Sequence, residues 1–226
     1  MCADTACLVL RLEGPLQSWG SASQFNRRLT DLLPTRSGVM GLICAALGLP
    51  RGSREEREYL AQCASLHMKA VALPRQSSRG TPLNVRRLED FHTVQGTLKA
   101  TGGSKDCHIT HRHYLLNAAF RVFLSGERAL LERAAAALRD PVWGLWLGRK
   151  CCLPTAPVLQ GVFATEAEAL QHCLPQPLDE LVWTEDVPGF AQGDDSVPDM
   201  PLSFASMERQ FTMRRIKRHQ GRHRAP

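Results

Sequence analysis

Apolar and polar positions alternate with two different periods along the first part of the chain. The apolar run CLVLRL, residues 7–12, predicts a short buried strand that ends at a Gly-Pro break. In residues 37–49, apolar side chains recur three and four positions apart, which predicts an amphipathic helix with Ser37 as its N-cap. Residues 51–63 predict a second, charged helix, and residues 65–73 predict a second strand.

The second part of the chain repeats this order of elements. Residues 113–124 predict a third strand, residues 127–140 a helix capped by Ser125, and residues 156–164 a fourth strand. The order strand, helix, strand, strand, helix, strand is that of the split βαβ, or ferredoxin-like, fold. We therefore predict an α+β protein with a ferredoxin-like domain.

This domain is predicted over residues 1–165, with an insertion at residues 74–108. The insertion is rich in Arg, Ser, Gly, Thr and Lys, which indicates a long hairpin or mobile arm and not a core element. After a capping box at residues 165–168, the proline-rich acidic stretch has little periodicity. We therefore predict a small irregular C-terminal extension over residues 166–226, in which RQF, residues 209–211, begins a short strand before a frayed basic tail.

Charge is distributed unevenly along the 226 residues. Residues 1–165 contain 21 basic and 12 acidic side chains, residues 166–199 contain nine acidic and no basic ones, and residues 207–226 contain seven basic and one acidic. Two basic regions around an acidic one favour a polyanionic partner such as nucleic acid. Ordinary solvated surface charge is the alternative explanation for the same counts.

Composition limits the setting in which the chain works. Hydrophobic residues make up 43% of the chain, but no apolar run approaches the ~20 residues that span a bilayer. The N-terminal segment lacks the basic and apolar regions of a signal peptide. We expect a cytoplasmic protein without a membrane partner, in which the eight cysteines are reduced thiols.

Two short segments have the chemistry of phosphate sites. PTRSG places Arg36 and Ser37 at a helix start, where unpaired amides and the helix dipole favour anions, and basic residues lie just upstream. LGRK offers Gly148 for close backbone approach, with Arg149 and Lys150 beside it. The alternative for PTRSG is ordinary helix capping. The alternative for LGRK is a tight connection, in which the neighbouring Trp143 and Trp146 are expected to pack on the core.

The remaining candidates lie in and after the insertion. Phe91 on an exposed arm suits stacking on a base, although a small apolar cluster at the base of the arm is the alternative. His92 with Arg112 can be drawn as an acid/base pair for RNA cleavage. The histidines of CHITHRH do not have the spacing of a recognised zinc site, so we expect no metal and no cofactor.

Six segments, taken in order, resemble the Cas-five family of the RAMP superfamily, in the branch found in type I-E CRISPR Cascade complexes. They are CLVLRLEGPLQSWG, LLPTRSGVMGLICAALGL, LEDFHTVQG, RHYLLNAAFRVFL, LWLGRKCCLPTAPVLQG and RQF. The resemblance implies a ferredoxin-like (RAMP/RRM-like) palm at residues 1–165 with an inserted β-hairpin thumb at residues 74–108. It also implies a non-catalytic subunit that holds the 5′ handle of the CRISPR RNA, caps a CasC backbone, contacts the large subunit CasA and meets target DNA through the complex. One departure is Glu89, which stands where the family's thumb motif often has arginine.

Carried over to this sequence, the resemblance and the segments above give one set of candidate RNA-binding residues. These are Gln17, Ser18, Trp19, Arg27, Arg28, Thr30, Arg36, Ser37, Gly38, Phe91, His92, Arg112, Arg149 and Lys150. Two other functions stay open. In type I-C systems a member of the wider family is itself the endoribonuclease that processes repeat RNA. A free-standing RRM-type module is the other, but the RNP aromatic pattern is missing from HYLLNAAFRVFL.

Overall fold

A computed structural model describes residues 4–22, 26–76, 79–83, 85–99 and 102–221. The strands are β1 (Thr5–Glu13), β2 (Leu16–Gln17), β3 (Arg27–Arg28), β4 (His67–Ala72), β5 (Arg75–Gln76), β6 (Pro82–Leu83), β7 (Arg86–Leu98), β8 (Ser104–Leu116), β9 (Ala119–Glu127), β10 (Leu159–Phe163), β11 (Val182–Asp186), β12 (Asp195–Ser203) and β13 (Gln210–His219). The helices are α1 (Arg36–Ala46), α2 (Arg54–Cys63), α3 (Arg128–Arg139) and α4 (Glu166–Cys173), with 3₁₀ turns at Leu178–Glu180 and Phe190–Gln192.

Seven strands form one antiparallel sheet in the order β10-β1-β9-β4-β11-β13-β12. Strands β1 and β4 run in the same direction with β9 between them, and α1 and α2 connect them. Likewise β9 and β10 run in the same direction with β1 between them, and α3 connects them. The predicted α+β class is therefore confirmed, and the sheet contains two interleaved βαβ units.

Both faces of the sheet are covered by helices. Leu8, Leu10 and Leu12 of β1 pack in the core that contains α1, α2 and α3, whereas Cys7 and Val9 pack in a smaller core with α4. Because both faces of β1 are buried, CLVLRL is almost continuously apolar instead of alternating. The larger core also positions α1, whose N-terminus faces the candidate site.

The predicted irregular extension is wrong for much of residues 166–226. Strand β11 pairs with β4 from Val182 to Glu185, and β13 pairs with β11 and β12, so the last three strands continue the main sheet. The predicted short strand at residues 209–211 is ten residues long, and it includes most of the supposed tail. Edge prolines and aspartates hide the strand periodicity in this region. Residues 222–226 lie outside the described residues, and the division of the chain at residue 165 stays a prediction.

The predicted strand at residues 113–124 is two strands. Residues 113–116 belong to β8, Asn117 adopts φ 51°, and β9 starts at Ala119. Asparagine tolerates this left-handed backbone better than most residues, which lets the chain leave one sheet and enter the other.

Two caps also differ from the prediction: Thr35 and not Ser37 caps α1, and the Ser125 hydroxyl donates to Glu166 Oε2 at 2.8 Å instead of capping α3.

A long hairpin, β7 and β8, projects from the sheet. It pairs continuously from Arg86 opposite Leu116 to Leu98 opposite Ser104. Its base is held by β2 and β3, which pair with the C-terminal half of β8. The predicted inserted hairpin is present, but it extends to residue 116, beyond the predicted limit of 108.

Candidate nucleic-acid interface

A groove of about 710 Å³ lies where four segments of the chain meet. They are residues 18–20 after β2, residues 35–56 from the start of α1 into α2, the loop at residues 142–150, and residues 204–211 around the start of β13. We call this cavity the α1 groove. The structure thus brings GPLQSWG, PTRSG, LGRK and RQF together, although they are far apart in sequence.

The loop at residues 142–150 fits against GPLQSWG through a glycine. The Ser18 backbone N–H donates to the Leu147 carbonyl at 3.0 Å, and Gly148 has φ +97°. A Cβ atom at Gly148 would lie 1.8 Å from the Ser18 carbonyl oxygen. Only glycine satisfies both the backbone conformation and the contact, so Gly148 positions Arg149 and Lys150 at the groove.

The polar residues of GPLQSWG are buried. Trp19 is 1% exposed, and its indole N–H donates to Gln17 Oε1 at 3.0 Å. The Gln17 amide in turn donates to the Leu12 and Ala118 carbonyls at 3.1 and 2.7 Å. Gln17 and Trp19 therefore support the floor of the groove from inside, and nucleotide contact by either side chain is not favoured by this arrangement.

Thr30 and Ser18 also have structural partners. The Trp19 backbone N–H donates to Thr30 Oγ1 at 2.8 Å, and the Ser18 hydroxyl donates to the His113 carbonyl at 3.2 Å. Thr30 is buried within this contact, while Ser18 lines the groove.

The N-terminus of α1 faces the groove, but its amides are largely used. Thr35 Oγ1 accepts from the Gly38 N–H at 3.3 Å, and Asp199 Oδ2 accepts from the Arg36 N–H at 2.8 Å. A Cβ at Gly38 would lie 2.8 Å from Trp19 Cε3, so glycine lets the helix rest on the indole. Ser37 and Gly38 line the groove as predicted, but the helix terminus is a weaker anion site than PTRSG alone suggests.

Arg36 does not extend into the groove. Its side chain is fully buried, donating to Asp186 Oδ2 and to the Cys63 carbonyl, each at 2.6 Å. Burial lowers the pKa of its guanidinium, an effect that neighbouring Asp186 partly opposes. Arg36 therefore joins α1 to β11 in this arrangement, which does not favour the predicted contact with phosphate.

Several predicted cations do meet at the base of the hairpin. Arg27 and Arg28 pair in register with His111 and Arg112 across β3 and β8. The Arg149 guanidinium donates to the Arg28 carbonyl at 2.8 Å and to the His113 carbonyl at 3.1 Å. This cluster lies next to the α1 groove, because Arg149 belongs to both.

The groove lining contains basic and aromatic side chains among smaller polar and apolar ones. Among the described residues that line it, four are basic, and the single acidic one is Glu56; the basic ones are Arg51, Arg149, Lys150 and Arg209. Trp143 is 42% exposed, which corrects the prediction that it packs in the core, and Trp146, Phe204 and Phe211 also line the groove. Exposed aromatic faces beside cations are the features with which proteins hold single-stranded nucleic acid.

Residue-by-residue sequence reasoning missed Arg51, Phe204, Arg209 and Phe211 as groove residues. RQF was predicted as the start of a short strand and as one segment of the family resemblance, but not as part of a binding site. The aromatic Phe204 close to RQF was the other feature of the sequence that could have indicated a groove residue. No local pattern, however, predicts that this segment packs against α1.

The candidate residues on the hairpin lie outside the groove lining. Phe91 is 62% exposed and makes an edge-to-face contact with His111, at 5.2 Å between ring centroids. His92 Nδ1 lies 3.4 Å from Asp90 Oδ2, whereas Arg112 Nε donates to Thr110 Oγ1 at 3.1 Å. His92 and Arg112 thus have separate partners, which does not favour the acid/base pair drawn from the sequence.

Two of the three histidines of CHITHRH lie near one carboxylate. His111 Nδ1 lies 2.8 Å and His113 Nε2 3.8 Å from Glu89 Oε1. Within the described ranges, no group of three or more His, Cys, Asp or Glu side chains could hold a metal ion. Across the same residues, no helix is long and apolar enough to cross a membrane.

Comparison with known proteins gives consistent matches over nearly the whole chain. The CRISPR system Cascade subunit CasD of Escherichia coli (strain K12) is 29% identical over 211 residues, which are 89% of this chain and 93% of the relative. A chain of a CRISPR RNA-guided surveillance complex superposes with a TM-score of 0.72 at 28% identity, covering 94% of this chain and 88% of the other. A crystal structure of a Cas protein superposes with a TM-score of 0.62 at 29% identity, covering 94% and 93%.

A family model matches most of the same span. The model described as CRISPR-associated protein (Cas_Cas5) matches residues 7–217. This range includes the main sheet, the hairpin and every segment that forms the α1 groove. The resemblance seen in the sequence is confirmed, and the chain belongs to the Cas_Cas5 family of CRISPR-associated proteins.

Proposed function

We propose that this chain is a non-catalytic CRISPR RNA-binding subunit of a type I-E Cascade complex. It holds the 5′ handle of the CRISPR RNA, caps a CasC backbone, contacts CasA and reaches target DNA through the complex, in the cytoplasm. The observation that carries the proposal is the α1 groove, in which four dispersed segments present cations and aromatic rings on one cavity. Similarity to a Cascade subunit and to a chain of an RNA-guided surveillance complex supports it.

The chemistry of the groove suits single-stranded RNA backbone. Lys150, Arg51 and Arg209 are positioned to neutralise phosphates, and Arg149 connects the groove to the cations at the hairpin base. Trp143 offers an exposed face to a base, and stacking of this kind is worth about 1–3 kcal/mol per base. Ser37 adds a hydroxyl at the start of α1. Together these groups grip backbone and bases without requiring a particular sequence.

The fold is compatible with the same role. We assign the four strands β1, β4, β9 and β10 with their connecting helices to a ferredoxin-like palm, which the two interleaved βαβ units support. The hairpin of β7 and β8 is the thumb, and Phe91 at its exposed surface is available to a guide nucleotide or a neighbouring subunit. RNA cleavage would need a general base and a group that stabilises the leaving oxygen at one phosphate. Among the described residues, we assign no pair to the roles of general base and leaving-group stabiliser.

The proposal is tested by co-expressing the chain with its neighbouring CRISPR genes and sequencing the RNA that co-purifies. We expect a uniform small RNA with a repeat-derived 5′ end. Lys150→Gln in the groove should reduce RNA retention, whereas Lys217→Gln, an exposed lysine on β13 outside the groove lining, should not. Equal retention by both variants contradicts the groove as the binding site. Incubation of the purified chain with repeat RNA, with and without divalent metal, tests the non-catalytic role, and specific cutting would replace it with the endoribonuclease function.

A further inference from the structure

One wall of the α1 groove comes from the end of the chain. Phe204, Arg209 and Phe211 lie in or beside the connection between β12 and β13, and all three line the cavity. The rings of Phe204 and Phe211 meet at 6.2 Å between centroids. A Cβ at Gly41 would lie 3.7 Å from Phe204 Cζ, so the Phe204 ring reaches the surface of α1. We call Phe204, Arg209 and Phe211 the C-terminal wall.

The connection itself is held by a buried carboxylate. Glu56 Oε2 accepts hydrogen bonds from the Phe204 N–H at 3.0 Å and the Gly52 N–H at 2.9 Å, with Ser203 Oγ at 3.5 Å. Glu56 is fully buried at the first turn of α2. This contact holds the start of the C-terminal wall against the helical layer.

The strands that carry the wall are held by a network of four charged side chains, of which Arg36, Asp199 and Arg214 are buried and Asp186 is partly buried. The Arg214 guanidinium donates to both oxygens of Asp199, at 2.8 and 2.7 Å, and to Asp186 Oδ1. Asp186 also accepts from Arg36, and Asp199 accepts from the Arg36 backbone N–H. Burial by itself lowers the pKa of Arg214, but its bonds to Asp199 and Asp186 outweigh this effect and raise the pKa.

This network connects the helix start to the last two strands from outside the groove lining. The described residues that line the groove include Thr35 and Ser37, on either side of Arg36. They do not include Arg36, Asp186, Asp199 or Arg214. Two arginines and two aspartates leave the network without net charge. Arg214→Met removes one positive charge and Arg214→Lys keeps it, so the comparison of the two variants separates an effect of charge from an effect of the geometry of the C-terminal wall.

We infer that Arg214 and Asp199, with Arg36 and Asp186, are positioning residues that set the C-terminal wall of the groove against α1. This inference rests on the proposed function, because it concerns the same RNA site. It assigns to Arg36 and Arg214 an indirect role in place of direct contact with phosphate.

The experiment measures the affinity of the purified full chain for fluorescein-labelled single-stranded repeat RNA from its own CRISPR locus, by fluorescence anisotropy well below the melting temperature. Arg214→Met should weaken binding at least tenfold, and Phe211→Ala should weaken it through the wall itself. Arg214→Lys keeps one charge and should recover part of the loss, and it also provides a folded variant if Arg214→Met does not fold.

A double-mutant cycle separates positioning from general destabilisation. If Arg214 acts through the wall, the double variant Arg214→Met, Phe211→Ala should bind no more weakly than the weaker single variant, because both changes remove the same surface. Val9→Ala, in the core on the opposite side of the sheet, is the control that lowers the melting temperature without changing RNA affinity.

The outcomes are distinct. Additive losses in the cycle, or an unchanged affinity for Arg214→Met and Arg214→Lys beside a weakened Phe211→Ala, would overturn the positioning role and leave the proposed function intact. A Val9→Ala variant that loses RNA affinity in proportion to its stability would also overturn the inference. Failure of the unaltered chain to bind repeat RNA would overturn the proposed function, and the inference with it.

Discussion

Replacement of Gly148 by alanine should damage both stability and RNA binding. The backbone at Gly148 has φ +97°, and a left-handed conformation costs a residue with a Cβ about 1–2 kcal/mol. The new Cβ would also lie 1.8 Å from the Ser18 carbonyl oxygen, far inside van der Waals contact. The loop must then move away and lose the Ser18 N–H bond to Leu147, worth about 1 kcal/mol. We expect a total loss of about 3 kcal/mol in the free energy of unfolding.

Gly103→Ala provides the matched control for the backbone term. Gly103 has φ +85°, but a Cβ at this position would meet nothing within 4 Å. Its substitution should cost only the conformational term of about 1–2 kcal/mol. Denaturant unfolding followed by tryptophan fluorescence measures both variants, and anisotropy with labelled repeat RNA measures binding. Equal losses of stability, or full RNA affinity in a folded Gly148→Ala protein, would refute the argument that this glycine seats the loop at the groove.

Three further predictions concern salt, pH and the hairpin. RNA affinity should fall as the salt concentration rises, and each bound phosphate should add about 0.7 to the slope of log K against log salt. Lys150→Gln should reduce the steepness of that slope by about 0.7. An unchanged slope would exclude a contact between Lys150 and a phosphate. Burial tends to raise the pKa of Glu166, but the hydrogen bond and charge of Lys69 and the bond from Ser125 lower it below its ordinary value of 4.5. The stability that comes from this lowered pKa is present above pH 4.5 and is lost as the pH falls through the folded-state pKa. The melting temperature of Glu166→Gln should therefore fall less at acid pH than that of the unaltered protein. Parallel melting-temperature profiles of the two proteins would contradict this. Replacing residues 95–107 by Asn-Gly joins Val94 to its partner His108 in a two-residue turn and should leave cooperative unfolding intact while impairing co-purification of CRISPR partners; loss of the unfolding transition would show that the distal hairpin is structural.

Local patterns in the sequence were sufficient for most elements of the palm. Strand β1 and helices α1, α2 and α3 lie within a few residues of their predicted limits, because their apolar periodicity and breaking residues are local properties. The hairpin was also predicted from composition, although its end was not. The strand boundary at Asn117 was missed, since its left-handed conformation depends on two sheets that meet only in the folded chain.

What the sequence by itself determined is the order of elements, the α+β class and the short segments that form the groove. Only the tertiary structure decided which of their side chains face it. Trp19 and Trp143 are alike in sequence, but one lies under α1 and the other faces solvent. In the sequence, Arg36 is only a basic residue at the start of a helix. In the folded chain it contacts Asp186, 150 positions later, and Asp199, 163 positions later. Burial and charge pairing arise from contacts between distant segments, so a local pattern identifies a candidate residue but not its direction or its partner.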